Sequence, residues 1–260
     1  MKLKEKYAKF DNFIFDLDGT VWKWDRLIAP GAERVFEVLK KEGKNYLFIT
    51  NNTSLLREGY AAKLRRFGIP ARTEQIFHPS MVAAKMFYKR RVFCIGEKIV
   101  QYLKKSGVII DKKKPEVVLV CEDRKFDFEK CTLAVKFVIG GAELYKITEG
   151  GLWVMGDSFV PGAGAVAAMI EAAANIKGIK IGKPSNYMCE ILPKLRGRTL
   201  LIGDECKSDI AMGKKLGFTT LLVRSGADNI LSQRCELCEL QKPPNCGPDF
   251  VEDNILAMIE

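Results

Sequence analysis

The sequence predicts an α/β protein built around a parallel sheet, and two observations lead to this prediction. The first is a set of short, continuous apolar runs of the kind found in fully buried strands, at residues 13–15, 46–49, 200–202 and 220–223. The second is that helical patterns lie between or after these runs. Strands that alternate with helices in this way indicate a parallel sheet with helical connections.

Two of the helical patterns are clear. Residues 31–43 place their apolar side chains on one side and end at Gly43, a typical C-terminal cap. Residues 209–217 form a shorter pattern that also ends at a glycine. We therefore expect a helix in each range.

The middle of the chain, about residues 80–178, is predicted to be a second unit. Its predicted elements are strands at 91–96, 116–122 and 142–148, a helix at 126–141, and a helix of small residues after the glycine-rich segment 160–165. That segment lacks the GxGxxG spacing of dinucleotide-binding proteins. The predicted division is one domain formed by 1–79 with 179–260, and a second formed by 80–178.

Composition and charge exclude several classes of protein. With 47% hydrophobic residues in a chain of 260, a sizeable core is expected and disorder is not. The richest apolar stretch, residues 163–174, contains Glu171 and is too short to span a membrane. The net charge of +10 suits an anionic partner, but the basic clusters are short and lack interleaved aromatic residues. We expect a soluble cytoplasmic protein whose partners include neither nucleic acid nor a membrane.

The only histidine of the chain, His78, limits the available chemistry. A zinc centre with several His ligands is excluded, and so is phosphatase chemistry that depends on paired histidines. Acid–base catalysis near neutral pH must then come from carboxylates, Lys, Tyr or Cys. His78 stands beside Pro79 and is expected to be a loop or packing residue.

Among the eight cysteines, Cys235, Cys238 and Cys246 lie close together in "RCELCELQKPPNC". A CxxC pair suggests a metal or redox site, but three cysteines without a histidine do not make a full zinc set. The sequence is compatible with free thiols, a local disulfide or an incompletely coordinated metal. We expect the stretch to be structural and to lie away from the strand ends described next.

Polar residues suited to phosphate chemistry follow three of the predicted strands. In chain order they are Asp16 and Asp18, then Thr50, Asn51 and Asn52, then Asp204 and Asp209. Because the carboxyl ends of parallel strands form the ligand crevice of an open α/β sheet, all seven are expected at one edge. Asp-Gly at 18–19 is by itself a strong signal for a hairpin turn. The agreement of three strand ends favours a site over a turn alone.

Lys183, in "IGKPS", is a further candidate. The spacing from Gly178 leaves one residue too few for a P-loop, and Pro184 stands where that motif requires Ser or Thr. Taken alone, Lys183 is as compatible with a surface loop as with a site. Together with the three strand ends, we interpret it as a cation that enters the crevice.

The motifs DxDGT, TNN, GKPS and GDxxxxDI occur in this order and together resemble those of the haloacid dehalogenase-like phosphatase superfamily. "ITNN", "PGAGAVAAM", "IGKPS" and "LLVRSG" resemble its branch of p-nitrophenyl-phosphatase and NagD-like proteins. The resemblance implies a Rossmann-like core, 1–79 and 179–260, with an inserted α/β cap, 80–178, that selects the substrate. It also implies a small phosphorylated substrate, and it allows a homodimer formed through the cap.

The resemblance further implies catalytic and phosphate-binding roles. Asp16 would be the nucleophile that forms an aspartyl phosphate, and Asp18 would be the general acid and base. The residues expected to bind the phosphoryl group are Thr50, Asn51, Asn52 and Lys183.

The implied cofactor is Mg²⁺. Its protein ligands would be Asp16, Asp204 and the main-chain carbonyl of Asp18, since this hard cation prefers oxygen. Asp209 would not bind the metal directly but would help to hold these ligands in place. Cys206 inside this motif departs from the pattern of the family.

The resemblance predicts a Mg²⁺-dependent phosphomonoesterase, and two alternative functions remain. One is a sugar phosphomutase of the same superfamily, and the other is a catalytically inactive protein that binds a phosphorylated ligand. The four intact motifs favour an active enzyme. The cap loop at 146–162 departs from the pattern of the branch, so pyridoxal phosphate, phosphoglycolate, nucleotides and sugar phosphates all stay open as substrates.

Overall fold

The computed structural model describes residues 1–155, 158–226 and 246–260. Its helices are, in chain order, α1 (Glu5–Ala8), α2 (Arg34–Lys41), α3 (Arg57–Arg66), α4 (Pro79–Met86), α5 (Glu97–Lys105), α6 (Phe128–Ile139), α7 (Ala163–Ala174), α8 (Asn186–Glu190) and α9 (Ala211–Lys215). Its strands are β1 (Asn12–Asp16), β2 (Trp22–Lys23), β3 (Arg26–Leu27), β4 (Asn45–Ile49), β5 (Ile76–Phe77), β6 (Arg91–Ile95), β7 (Ile109–Ile110), β8 (Val117–Val120), β9 (Glu143–Lys146), β10 (Leu152–Met155), β11 (Ser158–Pro161), β12 (Ile179–Lys180), β13 (Thr199–Gly203), β14 (Thr219–Val223) and β15 (Phe250–Glu252). Within the described ranges, no helix has the length and apolar character that crossing a membrane requires.

The first sheet has the strand order β15-β14-β13-β1-β4-β5, and all of its strand pairs are parallel. The four apolar runs predicted as buried strands are β1, β4, β13 and β14 of this sheet. The predicted α/β class with a parallel sheet is therefore confirmed. Strand β1 lies between β4 and β13, although these two strands are far apart in the sequence.

Both faces of β1 are buried, which explains its continuous apolar sequence. Successive side chains of a strand point to opposite faces. Phe13 and Phe15 belong to one buried cluster, where the rings of Phe15 and Phe36 are 4.8 Å apart. Ile14 belongs to a different cluster, together with Leu201 of β13. Helices therefore cover the sheet on both sides, as expected for parallel strands.

The second sheet has the order β12-β9-β8-β6-β7 and is also parallel throughout. Its core is continuous with that of the first sheet. One buried cluster contains Ile14 and Ile49 of the first sheet and Val92 and Leu119 of the second. The two sheets are thus joined by packed apolar side chains.

The predicted boundary between the two units at residue 179 is two residues too early. Ile179 pairs with Tyr145 and Lys180 with Lys146, so β12 belongs to the second sheet. A strand of two residues is too short to give an apolar run in the sequence. β12 joins the second sheet by pairing with β9, more than thirty residues earlier in the chain. A local sequence pattern cannot indicate such a pairing.

Two antiparallel hairpins stand apart from the sheets, β2–β3 after the first strand and β10–β11 in the cap. The tip of the first hairpin contains Trp24, whose φ of 61° lies in the left-handed region. This conformation is uncommon for a bulky side chain and has to be held by neighbouring contacts. These contacts form part of the site described below.

The expected location of the cysteine stretch, away from the strand ends, is wrong for Cys246. This residue forms a disulfide with Cys206, which lies between Asp204 and Asp209. Cys246 is thus linked to the segment that follows one of the strand ends. Forty residues separate the two cysteines, so their spacing alone did not indicate the pair. Cys235 and Cys238 lie outside the described residues.

Candidate active site

Three strand ends of the first sheet meet because β1 lies between β4 and β13. Asp16 is the last residue of β1, Thr50 directly follows β4, and Asp204 directly follows β13. β1 pairs in register with both of its neighbours, so the three ends are level. The structure therefore brings together the polar groups that the sequence analysis expected at one edge of the sheet.

Lys183 lies between two of these carboxylates. Its Nζ is 2.5 Å from Oδ1 of Asp16 and 2.6 Å from Oδ1 of Asp209, and all three side chains are buried. Burial works against the charge of the ammonium, but the two carboxylates raise the pKa of Lys183 above its ordinary value. Lys183 is therefore a fixed positive charge at the end of β1.

Asp16, Asp204 and Asp209 form an acidic group. One carboxylate oxygen of each lies within 4.8 Å of the others. The pKa of Asp16 is raised from 3.8 to about 7, because the effects of burial and of the neighbouring carboxylates, which raise it, outweigh that of Lys183, which lowers it. A cation bound here would favour the ionised form of Asp16.

Two glycines make room for Asp204. A Cβ on Gly226 would lie 1.7 Å from Oδ2 of Asp204, and one on Gly19 would lie 2.4 Å from the same oxygen. Gly19 also has a φ of +86°, which side chains rarely adopt. On the other carboxylate oxygen, the Thr20 hydroxyl donates to Oδ1 of Asp204 over 3.3 Å. The glycines therefore allow the backbone to approach this carboxylate closely.

Both carboxylate oxygens of Asp18 accept a hydrogen bond. The indole Nε1 of Trp22 donates to Oδ1 over 2.8 Å, and Nδ2 of Asn52 donates to Oδ2 over 3.0 Å. The turn expected at 18–19 is also present, since the main-chain N–H of Gly19 donates to the carbonyl of Trp22. Turn and carboxylate thus share the same residues.

The side-chain amides of Asn51 and Asn52 make hydrogen bonds to other parts of the protein. The Asn51 side chain makes two hydrogen bonds to the main chain of Lys183. Its Oδ1 accepts from the N–H over 2.7 Å, and its Nδ2 donates to the carbonyl over 3.3 Å. The Asn52 amide donates to Asp18 and accepts from the N–H of Ser54. Both amides therefore bond to protein atoms in this structure and orient Lys183 and Asp18. The Thr50 hydroxyl lines the cavity and accepts from the N–H of Asn52 over 3.0 Å.

His78 is fully buried beneath this loop and begins helix α4, in agreement with the expected packing role. Its Nδ1 accepts from the N–H of Ser80 over 3.2 Å. Its ring is 5.8 Å from that of Tyr60, whose hydroxyl donates to the carbonyl of Asn52. His78 therefore supports the loop that carries the site asparagines without facing the cavity itself.

The single imidazole should titrate far below its ordinary range, because burial lowers the pKa of His78 from 6.5 to about 4. The folded protein then binds fewer protons than the unfolded chain between pH 6.5 and 4. Stability should fall as the pH drops through this window, by at most roughly 3 kcal/mol from this group. An NMR titration of the one histidine gives the pKa directly, and a midpoint near 6.5 in the folded protein would contradict the prediction.

A cavity of about 170 Å³ lies over the strand ends. Its lining on the side of the first sheet includes Asp16, Asp18, Thr50, Lys183, Asp204 and Asp209. The cap contributes Glu122, Thr148, Leu152, Trp153 and Ala163. A neighbouring cavity of about 780 Å³ shares Asp18, Trp24, Asn52, Glu122 and Trp153 with it.

Three side chains from the two units meet between the cavities. The rings of Trp24 and Trp153 are 5.8 Å apart, edge to face. The guanidinium of Arg124 lies 4.6 Å from the first ring and 4.9 Å from the second. Lys63 of α3 also donates to the carbonyl of Trp24 over 2.5 Å. These contacts hold the left-handed tip of the β2–β3 hairpin against the cap.

Trp22 and Glu122 belong to the site but were not predicted from the sequence. Trp22 follows Asp18 by four residues across a turn, and the turn signal at 18–19 brings such positions together. Glu122 follows the apolar run of β8 just as Asp16 ends β1. The argument from strand ends, applied to the cap as well, would have identified it.

Comparison with known proteins agrees with this geometry. Residues 13–109 match the profile of the haloacid dehalogenase-like hydrolases, and residues 180–258 match a HAD-hydrolase-like profile. Chronophin from Homo sapiens is 30% identical over 284 residues, which cover 99% of this chain and 95% of chronophin. The 5'-nucleotidase YutF from Bacillus subtilis is 31% identical over 227 residues, which cover 84% of this chain and 88% of YutF.

Solved structures give the same result. The 4-nitrophenylphosphatase from Thermotoga maritima superposes with a TM-score of 0.79 at 27% identity, and the match covers 95% of each chain. The resemblance drawn from the four motifs is therefore confirmed. The chain belongs to the haloacid dehalogenase-like hydrolase family, in its p-nitrophenyl-phosphatase and NagD-like branch, and is a phosphatase.

Proposed function

We propose that the protein is a Mg²⁺-dependent phosphomonoesterase that hydrolyses a small phosphorylated metabolite through an aspartyl phosphate on Asp16. The observation that carries this proposal is the contact of Lys183 with both Asp16 and Asp209 beside Asp204. This arrangement combines a carboxylate nucleophile, a fixed cation and an oxygen-rich acidic group within one cavity. Phosphoryl transfer through an aspartyl phosphate uses these components.

The residues present fit Mg²⁺. Three carboxylates approach one another closely, and oxygen ligands are the ones this cation prefers. Asp16 and Asp204 would hold the ion with the main-chain carbonyl of Asp18, and Asp209 would support it while bonding to Lys183. When bound, the ion would reduce the repulsion between a carboxylate and a phosphate dianion.

The protein's own residues would carry the reaction. Asp16 attacks phosphorus and becomes phosphorylated, while Lys183 keeps its carboxylate in place and offsets negative charge. Asp18 donates a proton to the leaving oxygen and later accepts one from the attacking water. Trp22 and Asn52 hold Asp18 for both steps.

The phosphoryl oxygens would contact Thr50 and Lys183, which line the cavity. Asn51 and Asn52 would act mainly by orienting Lys183 and Asp18. Direct contact of their side chains with the substrate would require a local rearrangement. Residues 80–180, the cap with β12 included, would cover the cavity and select the leaving group. We also propose a cytoplasmic location and a homodimer formed through the cap.

Asp204→Asn is expected to weaken Mg²⁺ binding, because it replaces a charged ligand by a neutral one. The Mg²⁺ concentration for half-maximal phosphate release should rise by at least about 10- to 100-fold. The measurement is a titration of p-nitrophenyl phosphate hydrolysis with Mg²⁺.

Asp253→Asn is the matched control, since the Asp253 side chain is 87% exposed and lies outside the cavity lining. It should leave the Mg²⁺ requirement unchanged. An unchanged requirement in Asp204→Asn would remove this residue from the metal site, and metal-independent hydrolysis by the unaltered protein would contradict the proposed function.

A further inference from the structure

We propose that Glu122 selects the leaving group, admitting uncharged groups that carry a hydroxyl and disfavouring those that carry a second anion. This inference rests on the proposed function, because it concerns the part of the substrate that is released from the phosphoryl group. It assigns a role to a half-buried carboxylate that the chemistry at Asp16 does not use.

Glu122 is fixed in place from both units. Its Oε2 accepts from the N–H of Ala163 at the start of α7, over 3.1 Å. Its own N–H donates to the hydroxyl of Thr53, which follows the loop of Asn51 and Asn52, over 2.9 Å. Glu122 lines both cavities. A carboxylate is therefore held in the wall of the cavity where the leaving group has to lie.

The charge of the cavity opposes a second anion. Among the described residues of its lining, the acidic side chains are Asp16, Asp18, Glu122, Asp204, Glu205 and Asp209, and the basic ones are Lys23 and Lys183. One divalent cation leaves this lining negative, and the phosphate dianion adds to the negative charge. Arg124 lines the larger cavity and stacks on Trp24 and Trp153. A carboxylate or second phosphate on the leaving group would meet repulsion from these carboxylates, and a protein wall screens such repulsion less than bulk water does.

The part of the cavity wall that contains Glu122 can bind a hydroxyl group of the leaving group. A carboxylate offers about four acceptor positions, and the Ala163 bond uses one of them. A substrate hydroxyl can therefore donate to Glu122, with Thr148 beside it as a further polar group. The stack of Trp24, Arg124 and Trp153 limits the size of the leaving group on the side of the larger cavity. The favoured leaving group is small, neutral and hydroxylated.

The test uses two esters of similar size, 2-hydroxyethyl phosphate and 2-phosphoglycolate, with Mg²⁺ at pH 8. The unaltered protein should favour the neutral ester in kcat/KM by at least about tenfold. In Glu122→Gln the preference should fall at least about fivefold, because the charge is lost while the amide oxygen still accepts from Ala163. Glu97→Gln is the control, since Glu97 lines only the larger cavity, and its preference should be unchanged.

Equal rates for the two esters, a preference for 2-phosphoglycolate, or an unchanged ratio in Glu122→Gln would overturn the inference. Failure of the proposed function has a different signature, which is no release of phosphate from either ester or from p-nitrophenyl phosphate. In that case calorimetric titration of both esters into the Mg²⁺-loaded protein decides the matter. Tighter binding of the neutral ester that depends on Glu122 supports the role, and equal or absent binding overturns it.

Discussion

Asp16→Asn is expected to abolish turnover of every phosphate ester that the protein hydrolyses. The carboxamide is a poor nucleophile, so no covalent phosphoenzyme can form. Loss of a covalent nucleophile typically lowers kcat by about 10⁴- to 10⁶-fold. The measurement is phosphate release from p-nitrophenyl phosphate and from an alkyl phosphate, combined with an acid-quenched search for labelled phosphoenzyme.

The substitution also removes a buried charge that contacts Lys183, so folding has to be checked. Asp209 remains 2.6 Å from Lys183 and keeps the ammonium paired, which favours a folded variant. Thermal unfolding followed by circular dichroism provides this control. A folded Asp16→Asn protein that retained more than about one per cent of the activity would exclude Asp16 as the nucleophile.

Much of this site could be predicted because it depends on local patterns. The apolar run that ends at Asp16, and the runs that precede Thr50 and Asp204, each identify a buried strand and its carboxyl end. In a parallel sheet such ends share one edge. The only further requirement was that β1 lies next to β4 and β13, which it does.

The remaining features depend on contacts between distant parts of the chain. The disulfide of Cys206 with Cys246 and the pairing of β12 with β9 are long-range. The contact of Trp24 with Trp153 joins a hairpin of the first unit to one of the cap. Short elements and single side chains carry no periodic signal, so their partners follow from the fold rather than from the sequence around them.

The hydrogen bonds of the two asparagines to the protein were not predicted. As amides in a loop at a strand end, Asn51 and Asn52 were predicted to bind phosphoryl oxygens. Their positions agree with a site, and their side chains hydrogen-bond to Lys183, Asp18 and Ser54. Residue type and position were thus predictable, whereas the hydrogen-bond partner of a side chain that can rotate was not.

Asp18→Asn should have an effect that depends on the leaving group, which distinguishes Asp18 from Asp16. An alkoxide is a poor leaving group and needs a proton as its bond to phosphorus breaks, whereas nitrophenolate leaves readily without one. General acid assistance is worth about 10²- to 10⁴-fold. Phosphoryl transfer from an alkyl phosphate should slow by an amount in this range, and transfer from p-nitrophenyl phosphate should slow much less.

Steady-state rates would hide this contrast, because Asp18 would also activate the water that removes phosphate from Asp16. The measurement is therefore the burst or single-turnover release of nitrophenol, compared with cleavage of an alkyl phosphate under the same conditions. Trp22→Phe is the matched control. It removes one hydrogen bond to Asp18 but keeps the carboxyl group that donates the proton, so it should slow cleavage of the alkyl phosphate much less than Asp18→Asn does.

The hydrogen bonds around Asp18 decide how the outcome is interpreted. In Asp18→Asn the oxygen can still accept from Trp22, but the new NH₂ faces the Asn52 amide, which is fixed by its bond from Ser54. Loss of that one bond disturbs the site equally for every ester. A selective loss for the alkyl phosphate therefore reports proton donation, whereas equal losses for the two leaving groups would remove the acid role and leave Asp18 as a residue of the turn and the metal site.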